Sequence, residues 1–247
     1  MLSIVITTFK YRFEKYFISL LNSIKDFDLD IEVIVTVNGE HKENFDVNYR
    51  REILHYISTK KNVFPVMFPQ FRGLAKLWNT GIIHSSNEYI LLLNDDVLIT
   101  DKDFLEIVKV TINRLQTSFK INGSFSHVVL KKSEVIDLNF FDDRLLGIGE
   151  EEEFCWRYEK MYQKVFKNVS IPGIINYVDM THSPTNIKTG ASGKYSKFNR
   201  DLLFNHIYRI DEENGEQHAM IQEKLIYNGW EKQYPYEKFY LENKDKL

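Results

Sequence analysis

The sequence predicts an α/β fold, in which a mostly parallel sheet carries helices on both faces. Runs of β-branched and aliphatic residues at 2–8, 31–37 and 89–93 indicate strands that are buried on both faces. Apolar residues at helical spacing follow two of these runs, at 13–24 and at 104–115. Strand and helix therefore alternate, which is the pattern of a parallel sheet built with crossover helices.

Shorter elements continue this alternation along the chain. We expect a third strand at 63–68, a helix at 73–83 and a further strand at 123–130. A helix is expected to begin at the acidic residues that follow Gly149, and a strand is expected at 174–180.

Composition limits the classes of function that the chain can have. Its 247 residues, 43% of them hydrophobic, suffice for one α/β domain with appendages. The net charge of −3 gives no indication of a nucleic-acid partner. Cys155 is the single cysteine, so no internal disulfide can form and a reducing compartment is favoured. No apolar run reaches the roughly 18 residues of a membrane span, and we expect a cytoplasmic protein.

Two acidic clusters carry the chemical information in the sequence. Asp95 and Asp96 follow the buried strand at 89–93, and four consecutive glutamates occupy 150–153. Acids at a strand end suit a divalent cation that carries phosphates, and the second cluster could supply a general base. Each cluster also has a structural explanation, because aspartates close turns and glutamates favour the first turn of a helix.

Four segments, in register, resemble family 2 of the GT-A type nucleotide-sugar glycosyltransferases, over roughly residues 2–182. They are the opening strand and loop at 3–9, the helix start at 72–79, the strand and acidic pair at 91–97, and the segment at 141–157, which matches best.

The resemblance implies a division of the chain into a GT-A catalytic domain at 1–185 and a C-terminal extension at 186–247. Residues 1–96 would form the nucleotide-binding half of the domain, and 97–185 the acceptor and catalytic half. The extension is expected to hold a mobile loop followed by helices.

The resemblance also assigns a donor site and a metal site. The donor residues are Thr7, Thr8, Phe9, Asn38, Gly73, Lys76, Asn79, Asn94 and Asp95. Asp96 and His182 would hold Mn²⁺ or Mg²⁺. The chain departs from the family pattern at two positions. Val37 stands where an aspartate often pairs with the nucleobase, and Asn94 replaces the first acid of the Asp-x-Asp motif.

The activity implied is metal-dependent transfer of a sugar from a nucleotide-sugar donor, with inversion at the anomeric carbon. Glu151 would deprotonate a hydroxyl of the acceptor, and Glu150 would position the acceptor or the sugar. The resemblance implies a glycan or lipid-linked acceptor in cell-surface polysaccharide biosynthesis. Homodimerisation stays open, and so does peripheral contact with the inner face of the membrane through the basic residues at 188–209.

Other functions also stay open at this point. A sugar nucleotidyltransferase is the first, although the loop at 6–10 lacks the glycines that such an enzyme would want. A glycoside hydrolase also uses two carboxylates, but it needs no nucleotide site. The third is a degenerate GT-A domain that only binds glycans or scaffolds partners, as Val37 and Asn94 could indicate. Away from the site, we expect Arg157 to pair with an acid and Trp78 to pack in the core.

Overall fold

The computed structural model of the chain describes residues 2–27, 31–39, 47–70, 72–143, 145, 149–177, 208–210 and 219–221. Its strands are β1 (Leu2–Thr8), β2 (Glu32–Val37), β3 (Val63–Met67), β4 (Tyr89–Asn94), β5 (Val97–Ile99), β6 (Phe119–Ile121), β7 (Ser124–Lys131), β8 (Lys167–Val169), β9 (Ile174–Asn176), β10 (Tyr208–Ile210) and β11 (Ala219–Ile221).

Six helices lie in the same part of the chain. The first, α1, is a continuous helical stretch with a π-helical segment at Phe13–Phe17 between Lys10–Arg12 and Ile18–Phe27. The others are α2 (Val47–Ser58), α3 (Leu74–His84), α4 (Phe104–Leu115), α5 (Lys132–Asp137) and α6 (Glu150–Tyr162).

The central sheet has seven strands in the order β3-β2-β1-β4-β7-β6-β8. The first four strands are parallel to one another, β7 runs antiparallel to β4 and β6, and β8 is parallel to β6. Two shorter pairs, β5 with β9 and β10 with β11, are antiparallel. The predicted α/β class and the mostly parallel sheet are therefore confirmed.

Alternate residues of β1 show why the sheet needs helices on both faces. Ile4 and Ile6 belong to an apolar cluster that takes in residues of α1, α2 and α4. Val5 points to the opposite face, where it joins a second cluster with residues of α3, α5 and α6. The strand is buried along its whole length because each face is covered by a different layer of helices.

Several short or polar elements were not predicted. Helix α2 escaped notice because it is largely polar and buries only Tyr49, Ile53 and Ile57, at the i, i+4, i+8 spacing of one helical face. The strand expected at 174–180 is described only as Ile174–Asn176. Strands β5, β6 and β8 are three residues each, too short for a clear pattern.

Most of the C-terminal extension, including the mobile loop and the helices expected there, lies outside the described residues. Its described residues, Tyr208–Ile210 and Ala219–Ile221, form the antiparallel pair β10–β11 where the sequence predicted helix. Among the residues that the structure describes, no helix is long and apolar enough to cross a bilayer.

Candidate functional site

The candidate site lies where the parallel strands end. The sheet register places Thr8 beside Val37 and Thr7 beside Asn94, so the carboxyl ends of β1, β2 and β4 meet at one edge. Asn38 follows β2 at the same edge. Ligands of open α/β sheets bind at this edge, and four of the predicted donor residues are assembled there.

Asp95 and Asp96 form the turn between β4 and β5, and both are buried, with exposures of 2% and 5%. Arg12, near the start of α1, forms an ion pair with each of them. Its Nε lies 2.8 Å from Asp95 Oδ1, and its Nη2 lies 2.5 Å from Asp96 Oδ2. The guanidinium carbon is also 5.7 Å from the Phe9 ring centroid and 5.3 Å from that of Tyr16.

Sequence reasoning missed Arg12. The available signal was a basic residue just beyond the loop that follows β1, but an arginine there is unremarkable until the acids are seen to fold against it. The contact joins residues more than eighty positions apart, and it depends on β1 and β4 being neighbours in the sheet.

Three oxygen atoms around this pair have no hydrogen-bond partner among the described residues. They are Asn94 Oδ1, Asp95 Oδ2 and Asp96 Oδ1, and all are buried. A buried oxygen without a partner is costly, and a hard cation such as Mg²⁺ or Mn²⁺ would satisfy it. The residues present therefore fit a divalent ion. In the described part of the chain no group of three His, Cys, Asp or Glu side chains converges. Mg²⁺ usually keeps water or phosphate oxygens among its ligands.

The electrostatics of this cluster are set by burial and by the two opposite signs of charge. Burial raises the pKa of Asp95 to about 6; the positive charge of Arg12 opposes this rise, and the negative charge of Asp96 adds to it. Burial alone would lower the pKa of Arg12, but the two carboxylates outweigh it, so the guanidinium stays charged.

The chain returns to the acidic pair at β9. Asn176 pairs with Val97, and the Tyr177 N–H donates to the Asp96 carbonyl oxygen at 2.8 Å. The Tyr177 ring centroid lies 5.4 Å from that of Tyr16. The chain is thus beside Asp96 shortly before it reaches His182, the second predicted metal ligand, which lies outside the described residues.

Asn38, a predicted donor residue, binds the backbone of the segment before α3. Its Nδ2 donates to the Arg72 carbonyl oxygen at 2.9 Å, and its Oδ1 accepts from the Arg72 N–H at 2.8 Å. Gly39 follows it, and a Cβ there would collide with the Gln70 backbone. The loop after β2 is therefore held against Arg72. The next residue, Gly73, is buried and precedes the first turn of α3.

Lys76 and Asn79 of α3 also face protein groups. Lys76 Nζ lies 3.1 Å from Asp143 Oδ2, while Asn79 exchanges two hydrogen bonds with the backbone of Phe141. Both side chains hold the loop that leads to α6. In this structure the nitrogen and the oxygen of the Asn79 amide each make one hydrogen bond to Phe141.

The acidic cluster opens α6, as predicted, and its members have different environments. Gly149 precedes the helix with φ 93°, a left-handed conformation that favours glycine. Glu150 and Glu153 are buried, Glu151 is half-buried and Glu152 is exposed. The four glutamates therefore differ in whether the side chain faces the protein interior or the solvent.

Glu153 is a structural member of the cluster. It pairs with Arg157, whose Nη2 lies 2.6 Å from Glu153 Oε2 and donates to the Phe140 carbonyl oxygen at 2.7 Å. Arg157 also donates to the Leu138 carbonyl oxygen. The expected pairing of Arg157 with an acid is confirmed, and it ties α6 to the loop before it.

Glu151, the predicted general base, is half-buried, and its surroundings change its pKa. Burial raises its pKa above the ordinary glutamate value; the backbone of Glu151 opposes the rise, Glu152 adds to it, and Lys120 opposes it. A raised pKa strengthens a carboxylate as a proton acceptor. Cys155, by contrast, has its thiol pKa raised to about 12 by burial, which leaves it unreactive.

Trp78 packs in the core, as predicted. It is buried, and its ring centroid lies 5.1 Å from that of Phe141 and 6.4 Å from that of Phe125. These rings belong to the apolar cluster that supports α6, so the aromatic residues of this region position the acidic helix.

Comparison with known proteins gives one family and several structures. Residues 3–118 match the family model described as Glycosyl transferase family 2. No curated protein gives a significant match to the chain.

The structure of S. aureus TarS 1–349 is similar with a TM-score of 0.53 and 17% sequence identity, over 68% of this chain and 57% of TarS 1–349. The complex of TarS 1–349 with UDP-GlcNAc gives a TM-score of 0.52 and 17% identity, over 68% of this chain and 58% of that one. Mannosyltransferase PcManGT from Pyrobaculum calidifontis, in complex with GDP-Man and Mn²⁺, gives a TM-score of 0.54 and 14% identity, over 68% of this chain and 54% of PcManGT.

The chain thus spans little more than half the length of the structures it matches, and at these identities the similarity establishes the fold. Residues 3–118, in which β1, β2, β4 and the acidic pair lie, match glycosyl transferase family 2, and the fold of the chain is that of the GT-A type glycosyltransferases.

Proposed function

We propose that the chain transfers a sugar from a nucleotide-sugar donor to a hydroxyl group of a glycan or lipid-linked acceptor, with inversion at the anomeric carbon and with dependence on Mn²⁺ or Mg²⁺. The observation that carries the proposal is the buried pair Asp95 and Asp96 at the carboxyl end of β4, each of which has one oxygen with no partner among the described residues. Buried acids at that edge of the sheet are explained by a cationic ligand better than by a turn alone.

The donor belongs at the edge formed by β1, β2 and β4, within residues 1–96. Thr7, Thr8 and Phe9 would line it from one side, and Asn38 and Gly73 from the other. Similar structures contain UDP-GlcNAc in one case and GDP-Man with Mn²⁺ in another, which supports a nucleotide-sugar ligand and a divalent ion.

The ion would be held by the oxygens of Asp95 and Asp96 that have no partner in the described part of the chain, with Asn94 beside them and His182 as a further ligand. When bound, it supplies positive charge that stabilises the departing diphosphate. The chain's own contribution is a rigid, buried turn, because the β4 strand before it is packed on both faces.

The acceptor belongs to the half of the domain at 97–185. Glu151 accepts the proton from the attacking hydroxyl, and its half-buried position allows that contact. Glu150, which is buried, positions the acceptor or the sugar. Attack from the face opposite the departing diphosphate gives inversion. We place the reaction in the cytoplasm, at the inner face of the membrane, where acceptors for cell-surface polysaccharides are assembled.

A thermal-shift experiment with UDP and GDP, each with Mn²⁺ or with EDTA, tests the proposal. A ligand at a hundred times its Kd stabilises a protein by about 2.7 kcal/mol, so binding will be visible. We expect the diphosphates to stabilise the wild type mainly when Mn²⁺ is present. Asp96→Ala should remove most of that effect, and Asp95→Ala a smaller part. Exposed Asp103 provides the matched control, and Asp103→Ala should change nothing. Equal stabilisation with EDTA would refute the metal dependence.

Turnover of Glu151→Gln tests the catalytic part. The variant keeps the shape of the side chain but cannot accept a proton, so transfer should fall by about 10²- to 10⁴-fold while donor binding survives. A wild type that binds donor but transfers sugar to no acceptor would instead support the non-catalytic GT-A domain.

A further inference from the structure

Arg12 neutralises only part of the charge of the acidic pair Asp95 and Asp96. Its fork makes one contact with each aspartate, through Nε to Asp95 and through Nη2 to Asp96. Two carboxylates and one guanidinium leave a net charge of −1. Each carboxylate keeps a second oxygen, buried and without a partner among the described residues. The arrangement is a half-neutralised site, in which one cation is present and some of the ligand oxygens are unused.

A divalent ion and Arg12 would compete for these acids. Both carry positive charge, and both need the same two carboxylates at short range. Bringing the ion to the unused oxygens places it close to the guanidinium, in a buried region where repulsion between like charges is poorly screened. Binding of the ion therefore favours departure of Arg12 from the pair.

Arg12 has an alternative partner close by once a donor is bound. It lies in the first turn of α1, just after Thr8 and Phe9, the residues proposed to line the donor. Its planar fork fits two oxygens of a phosphate as well as it fits carboxylates. A diphosphate bridged to the ion would lie beside the acidic pair, within the region that Arg12 already occupies.

We propose that Arg12 is a donor-binding residue that rests on Asp95 and Asp96 in the free protein and moves to the donor's diphosphate when the divalent ion takes the acids. The inference rests on the proposed function, because it needs both a nucleotide donor and an ion. In this exchange every charged group keeps a partner of opposite charge. Arg12 leaves the two carboxylates for phosphate oxygens, and the ion binds the carboxylates.

This exchange makes ion and diphosphate bind cooperatively. The ion alone must displace Arg12 with no new partner for it, so it binds weakly. With a diphosphate present Arg12 has a new partner, and the affinity for the ion rises; by linkage, the ion raises the affinity for the diphosphate by the same factor. Coupling between sites is commonly about 5- to 150-fold, and we expect a factor in that range for the wild type.

The test is a set of Mn²⁺ titrations followed by electron paramagnetic resonance of free Mn²⁺, with and without saturating UDP or GDP. Arg12→Met removes the competing charge. It should bind Mn²⁺ alone more tightly than the wild type, bind diphosphate with Mn²⁺ more weakly, and show a smaller coupling factor. Arg12→Lys keeps the charge but loses the two-point fork, and it should fall between. Lys15→Met removes a charge from an exposed position of the same helix and should behave as the wild type.

Each outcome decides the proposal. If Arg12→Met leaves both the Mn²⁺ affinity and the coupling factor unchanged, Arg12 only stabilises the fold and the inference is wrong. If Arg12→Met does not fold, the wild-type coupling decides, because equal Mn²⁺ affinity with and without diphosphate contradicts the exchange. If Mn²⁺ binds neither the wild type nor any variant under any condition, the proposed metal site is wrong as well. This result differs from Mn²⁺ binding that is independent of Arg12, which contradicts only the exchange.

Discussion

The side-chain amide of Asn79 closes a two-point hydrogen bond with the backbone of Phe141. Its Nδ2 donates to the Phe141 carbonyl oxygen at 2.8 Å, and its Oδ1 accepts from the Phe141 N–H at 3.0 Å. Asn79 lies on α3, and Phe141 lies in the loop that leads to α6. The pair therefore connects α3 to the loop before α6, the helix that carries Glu151.

Replacement of Asn79 with Leu should destabilise the protein and slow sugar transfer without weakening donor binding. The variant leaves the N–H and the carbonyl oxygen of Phe141 buried without partners, and the expected cost is about 2 kcal/mol. Urea unfolding measures the stability, and donor Kd is measured beside turnover. The neighbouring Thr80→Ala loses only a hydrogen bond within α3 and serves as the control.

Loss of donor affinity in Asn79→Leu, with stability unchanged, would give the opposite assignment. The amide would then bind the donor directly, as the family resemblance implied, and its contact with Phe141 would be secondary.

Val37→Asp should destabilise the protein instead of creating a base-selective donor site. Val37 is 0% exposed and belongs to the apolar cluster on the α1 face of the sheet. A carboxylate there would be buried without a partner, at a cost of several kcal/mol. Asn38 and Gly39, at the edge itself, are the positions left for contact with the nucleobase. A soluble Val37→Asp variant of wild-type stability with sharper preference for UDP over GDP would contradict this expectation.

The sequence was sufficient to predict the strands that build the site. Strands β1, β2 and β4 are continuous apolar runs, because parallel strands covered on both faces must be apolar throughout. The two acidic clusters could also be recognised in the sequence. Asp95 and Asp96 end the apolar run of β4, and four consecutive glutamates follow Gly149. What could not be predicted is which polar side chains bind protein and which face a ligand. Asn38 and Asn79 resemble donor contacts in sequence, and both bind backbone groups that only the tertiary structure brings near.

Glu153→Gln should cost stability, since its carboxylate is the charge partner of buried Arg157. Leaving a buried charge without its partner typically costs about 3 kcal/mol or more. Turnover per folded molecule should change far less than in Glu151→Gln, because Glu153 faces the protein interior. Exposed Glu152 is the matched control, and Glu152→Gln should alter neither the stability nor the turnover measured on the high-pH plateau. A Glu153→Gln variant that is fully stable but inactive would move the general base to this position.

The pH dependence of transfer should report the environment of Glu151. A base works only when deprotonated, and burial raises the pKa of Glu151. The acidic limb of the kcat/KM profile should therefore lie above the ordinary glutamate value, with activity lost as pH falls through it. Lys120 lowers this pKa by its positive charge. Lys120→Met should then raise the pKa further and move the acidic limb to higher pH, while the plateau at high pH is retained.

Two controls make this shift specific to Glu151. Lys164→Met removes a lysine that faces Glu134, Tyr158 and Tyr162, and it should leave the acidic limb in place. In Glu151→Gln the residual activity should no longer respond to Lys120→Met, because the titrating group is absent. A limb that moves equally in both lysine variants would show that overall charge sets it. A limb that persists in Glu151→Gln and still moves with Lys120→Met would assign the base to another acid, with Glu150 the next candidate.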